Sequence, residues 1–117
     1  MEKSAHAAGF QSLILWQRAM EVVRLSYPIA RSLPKEEQFT LANQIRRAAV
    51  SIPSNIAEGS KRHKKEFGQF LRIASGSAAE LETQFLLSRD LYAAGVDQVI
   101  DKIHEVQKMT YSFLKKL

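Results

Sequence analysis

The chain has 117 residues, 17 basic against 12 acidic and a formal net charge of +5, the size of one ordinary domain with one core. It has no cysteine, which excludes disulfides and thiolate metal sites. Five glycines and three prolines are too few to punctuate an all-β fold, and no apolar run approaches the roughly 20 residues of a membrane span. The start, MEKSAHAAGF, has no apolar core of a secretory signal, so a cytoplasmic location is expected.

Residues 1–11 are small and polar and read as a frayed segment, with a single domain over 12–117. The first helix starts near Ser12 or Leu13. Leu13, Trp16, Met20, Val23, Tyr27 and Ala30 recur at spacings of three and four, an apolar seam at heptad spacing. Leu15, Ala19, Val22, Ile29 and Leu33 make a second stripe. Two stripes on one helix predict deep burial or a contact between subunits. Pro28 interrupts the pattern and predicts a kink.

A boundary follows at Ser32-Leu33-Pro34. Proline and the acidic pair Glu36 and Glu37 suit a helix start, which predicts a second helix from Lys35 to Glu58 with Gly59 just past its end. Phe39, Ala42, Ile45, Ala49, Ile52 and Ile56 form its apolar face, and Pro53 should bend it. Ser54 and Asn55 are placed to satisfy a carbonyl freed by that proline or to bond across an interface. The third helix is predicted over Lys64–Ala94, about 45 Å long, with Phe67, Phe70, Leu71, Ala74, Ala78, Leu81, Phe85 and Ser88 on one face and Gly95 as its stop. Asp97 is a fitting N-cap for a fourth helix, Gln98–Leu117, burying Ile100, Ile103, Val106, Thr110, Phe113 and Leu117. No segment alternates with period two. The fold class is therefore all-α: an antiparallel up-down-up-down four-helix bundle.

The run Gln44-Ile45-Arg46-Arg47-Ala48-Ala49-Val50-Ser51-Ile52-Pro53-Ser54-Asn55-Ile56-Ala57-Glu58-Gly59 resembles the signature of the four helix bundle protein family, also called the 23S rRNA-intervening sequence protein family. Leu15-Trp16-Gln17-Arg18-Ala19, Lys64-Lys65-Glu66-Phe67 and Ala79-Glu80-Leu81-Glu82-Thr83-Gln84 agree with it, so the resemblance covers the chain from Phe10 onward. It implies a left-handed antiparallel bundle that assembles as a homopentamer. Some members are encoded within insertions in bacterial large-subunit ribosomal RNA genes. A relative of the same fold accompanies the reverse transcriptase of diversity-generating retroelements and is thought to engage nucleic acid. No enzymatic activity is attached to the family, so the resemblance implies a non-catalytic protein.

Charge points to a first candidate site. Between Leu41 and Ser75 lie seven basic residues, Arg46, Arg47, Lys61, Arg62, Lys64, Lys65 and Arg72, against Glu58 and Glu66, so the whole excess of positive charge sits there. Such asymmetry suits a polyanion. Lys61, Arg62, Lys64 and Lys65, with Arg46 and Arg72, are candidate phosphate contacts, or else a solvated basic loop. No aromatic residue interleaves the cluster, so recognition of RNA or DNA would go through backbone or shape. Arg46 and Arg47 could each contact phosphate, but the favoured reading makes them structural ion-pair partners of Glu80 and Glu82 on the third helix. Trp16, Tyr27 and Asn55 are candidates for core or subunit interface. A di-metal carboxylate site needs Glu-x-x-His on two helices, which His6, His63 and His104 do not supply. No metal, cofactor or catalytic residue is assigned. The competing reading is a scaffold for a partner protein.

Overall fold

The computed structural model describes residues 9–117. It holds four helices and no strand among them: α1 (Ile14–Ser32), α2 (Leu41–Ser60), α3 (Lys64–Tyr92) and α4 (Asp97–Lys115), with short 3-10 turns at Phe10–Ser12 and Lys35–Glu37. They form a four-helix bundle. Contacts join α1 to α2, α2 to α3, α3 to α4 and α4 back to α1, while the Cα atoms of neither diagonal pair come within 8 Å of each other among the described residues. The expectations of a frayed start and of His6 fall mainly outside this range. What is described, Phe10, packs edge to face on Trp16 with ring centroids 5.3 Å apart.

The core is narrow because its walls are small. Ala19, Ala42, Ala49 and Ala78 are fully buried beside Ile45, Ile56, Leu71, Leu81, Phe85 and Ile103. Alanine keeps helix propensity high and lets axes approach. The tightest seam lies between α2 and α3. Ser51 and Ser77 share a hydroxyl–hydroxyl hydrogen bond of 2.8 Å across it. Gly59 lies against α3 so closely that a Cβ there would stand 2.6 Å from Phe70 Cβ. Three buried hydroxyls, Ser26, Ser88 and Thr110, donate to carbonyls four residues back, those of Val22, Gln84 and Val106, so none is left unpaired in the core.

Of the two stripes on α1, the core takes Leu15, Ala19, Val22 and Ala30, while Trp16, Met20, Val23 and Tyr27 remain half-buried. Several boundaries differ from those the sequence predicts. Pro34 opens a 3-10 turn, and α2 starts only at Leu41. Glu37 is not a helix-start residue there. Its carboxylate accepts from the Thr40 hydroxyl at 2.7 Å and from the Leu41 amide at 3.4 Å, satisfying the first turn of α2 from the preceding loop. Gln38 donates to the carbonyls of Ala30 and Leu33 and closes the end of α1. Phe39, expected in the core, is 91 % exposed, because the helix begins after it.

Gly59 lies inside α2 rather than past its end. Its role is close approach, not chain reversal. α3 ends at Tyr92, and the residue that turns the chain is Ala93, with φ 55°, not Gly95. Ala93 N–H bonds to the Arg89 carbonyl and Ala94 N–H to that of Ser88, a left-handed cap of the kind glycine usually fills. Asp97 sits in the first turn of α4 and makes no side-chain cap. Leu117 is exposed rather than buried. α1 and α2 both continue through Pro28 and Pro53. Asn55 donates to the Ser51 carbonyl at 2.8 Å and to the Ser51 hydroxyl at 3.0 Å; the carbonyl that Pro53 leaves free is that of Ala49, four residues before it, so Asn55 serves a different group.

Candidate nucleic-acid interface

Where α2 gives way to α3, the link is only three residues long, 61–63. Lys61 caps α2, and Lys64 and Lys65 open α3, all exposed. Phe67 on α3 packs edge to face on Phe113 of α4, with centroids 5.3 Å apart. The position of Gly68 faces Leu114 and Leu117. The start of α3 therefore lies beside the end of α4, which brings Lys108, Lys115 and Lys116 to the same end of the bundle as the link. Residues 58–72 and 108–117 carry eight basic side chains against the two acids Glu58 and Glu66.

These cations do different jobs. Arg62 bridges Glu58, and its guanidinium lies 5.2 Å over the Phe70 ring. That combination holds it to the surface of the hairpin. Lys115 stacks in the same way, 5.2 Å over Tyr111. Lys61, Lys64, Lys65, Lys108 and Lys116 have no carboxylate within 4 Å among the described residues. They are the groups whose charge is available to an external anion. Lys108 and Lys116 also flank an open, mainly apolar groove of about 450 Å³ floored by Met109, Phe113 and Leu117. Arg72 is exposed two turns into α3.

The structure does not gather every residue singled out from the sequence. Arg46 lies fifteen residues before Lys61, about 22 Å along the helix, and donates to the Gln38 carbonyl at 3.0 Å. It fastens the α1–α2 connection, apart from the lysines of the link. Neither Arg46 nor Arg47 forms an ion pair with Glu80 or Glu82 among the described residues. Arg47 is exposed, and only Glu80 shares its surface cavity. Glu82 bonds His104 of α4 instead, at 2.9 Å. α3 presents Glu82 toward α4 and Glu80 toward α2, because two positions along a helix are about 200° apart. Trp16 lines an open apolar depression of about 300 Å³ with Met20, Val23, Val50 and Pro53.

Sequence reasoning missed Lys108, Lys115 and Lys116, in and just past α4. They lie more than forty residues from the link, and the signal that finds them is the ring contact of Phe67 with Phe113. It also missed Tyr111, 65 % exposed, which supplies an aromatic surface at this end. Elsewhere, Tyr92 donates its phenol hydrogen to Glu37. With the Thr40 hydroxyl, that bond holds the Glu37 carboxyl below its ordinary value; the same bond, from the other side, raises the Tyr92 phenol. No group of three or more potential metal-ligating side chains occurs among the described residues, and no helix there is long and apolar enough to cross a membrane.

A family model described as 23S rRNA-intervening sequence protein matches residues 11–112. No curated protein matches the chain.

Proposed function

Since the chain belongs to the 23S rRNA-intervening sequence protein family, we propose that it is a non-catalytic, cytoplasmic, oligomeric protein that binds the phosphate backbone of RNA or DNA. The observation that carries this is the meeting at one end of the bundle of eight basic side chains from the α2–α3 link, α3 and the end of α4, seven of them without a carboxylate partner among the described residues. Each neutralised phosphate releases counterions, and this supplies most sequence-independent affinity. In this reading the four helices run alternately up and down. Arg18 of α1 meets Glu105 of α4, and Glu21 meets Lys102, numbers rising on one helix as they fall on the other. The bundle is left-handed and joins a homopentameric ring, as the family resemblance implies, so that five basic ends add their potentials.

The test is fluorescence anisotropy with labelled structured RNA and duplex DNA across a salt series. The expected result is binding whose log affinity falls linearly with log salt, lost when Lys61, Lys64, Lys65 and Lys116 become glutamine while helical circular dichroism is kept. Absence of binding at low salt sinks the proposal. It would favour the second reading, a scaffold for a partner protein, which has its own support in Ile73, Leu87 and Leu91, exposed along α3.

A further inference from the structure

Away from the basic end, where α2 begins beside the middle of α3, the surface holds a cavity of about 570 Å³, within the usual size range of ligand sites. Its lining is polar, unlike the two apolar depressions described above. Four features set it apart. Phe39 stands on its rim 91 % exposed. Arg47 and Glu80 both line it, yet their charged atoms stay more than 4 Å apart, so opposite charges face a gap. Asn43 and Gln44 add two carboxamides with no hydrogen-bond partner among the described residues. Gln84 completes the wall, and its Oε1 is buried with no donor to meet it. A buried acceptor left unpaired costs free energy until a turn of the amide brings that oxygen to the cavity side.

We propose that this cavity binds the base of an unstacked guanine nucleotide. An exposed aromatic ring is a stacking platform for any base. The flanking charges choose among the four. Guanine offers the O6 and N7 acceptors on one edge, the pair that an arginine fork reads best. On its next edge it offers N1–H and N2–H donors, which a carboxylate accepts together. Arg47 and Glu80 supply those two partners from opposite walls, and the carboxamides of Asn43, Gln44 and Gln84 remain for the rest of the ring. Adenine has no second acceptor beside N7 and no N1–H. Cytosine and uracil lack the imidazole edge. The assignment rests on the nucleic-acid reading for its biological ligand, an unpaired base in a bound strand, but it uses none of the lysines on which that reading stands.

The experiment is a titration of the isotope-labelled full chain with guanosine, adenosine, cytidine and uridine 5′-monophosphates, followed by the side-chain amide resonances of Asn43, Gln44 and Gln84. All four ligands carry the same phosphate, so differences report the base. The expected result is saturable shifts at those amides with guanosine monophosphate at an affinity about fivefold to a hundredfold above the other three. That preference should disappear in Arg47→Met and Glu80→Gln, two surface changes that leave the fold intact. Equal responses to all four nucleotides overturn the proposal, and so do shifts confined to Lys61–Lys65, or a guanine preference that survives both substitutions. None of those outcomes touches the salt-dependent backbone binding, which the oligonucleotide series with the lysine variants tests separately.

Discussion

Replacing Gly59 with alanine tests the seam between α2 and α3. In an open helix, glycine to alanine stabilises by up to about 1 kcal/mol. At position 59 the new Cβ would lie 2.6 Å from Phe70 Cβ and 2.9 Å from Phe67 Cδ1. Reaching 3.4 Å, the edge of ordinary contact, needs about 0.8 Å of movement. The Phe67 ring can turn away, but Phe70 Cβ is fixed to the backbone of α3, so the helices themselves must separate. Overpacking of this kind costs about 1–3 kcal/mol, and the upper half applies where backbone has to move. Position 59 is in the last turn of α2, where the propensity gain is smallest. The net expectation is a loss of about 1–2 kcal/mol, a fall in Tm on the order of 5 °C for a domain this size. Gly76 is the control. It is exposed on α3, with nothing within 4 Å of a built Cβ, and Gly76→Ala should raise Tm by about 4 °C. Thermal circular dichroism at one fixed protein concentration reads both. A Gly59→Ala protein as stable as the parent would refute the claim that the seam has no room for a methyl group.

Further expectations follow from individual contacts. Ala93→Gly should stabilise by about 1 kcal/mol, since alanine pays a steric cost in the left-handed region that glycine does not; urea unfolding with an unchanged m-value checks it. Glu37 has a lowered carboxyl pKa in the fold, so its contribution to stability is present above the ordinary carboxylate value and fades as pH falls through the lowered one. Tyr92→Phe should move the Glu37 titration upward, seen by NMR, and flatten the acid limb of the stability curve; an unchanged Glu37 pKa would show the phenol is not its main partner. Trp16→Ala should cost about 2 kcal/mol or dissociate the proposed pentamer, and a variant with the parent's Tm and mass would remove Trp16 from both core and interface.

The helices were legible in the sequence because their core positions repeat at three and four residues through Leu71, Ala74, Ala78, Leu81 and Phe85, all buried as that pattern requires. Boundaries were less legible, since they depend on which group satisfies a free backbone amide. Glu37 looks like a first-turn glutamate, yet it caps α2 from outside the helix. Gly59 and Gly95 look like stops, yet one is demanded by the close approach of Phe70 Cβ on α3 and the other follows a turn that alanine already makes. The pairing of Arg47 with Glu80 or Glu82 failed for a related reason: charge complementarity says nothing about azimuth, and adjacent glutamates on α3 face different helices. The link lysines were visible as a run. Their partners on α4 were not, because only packing joins residue 65 to residue 116.

The three-residue link between α2 and α3 also bears on how the chain finds its structure. Closing a short loop costs little entropy, and the surfaces that meet are the most extensive pair in the bundle. The α2–α3 hairpin is thus the most local large contact available and the natural folding nucleus. Mutations along its seam, at Ile52 or Ala78, should slow folding, whereas mutations in α1 at Leu15 or Val22 should chiefly speed unfolding. On this account α1 and α4 are late arrivals, closing over a hairpin whose tip already bears its lysines.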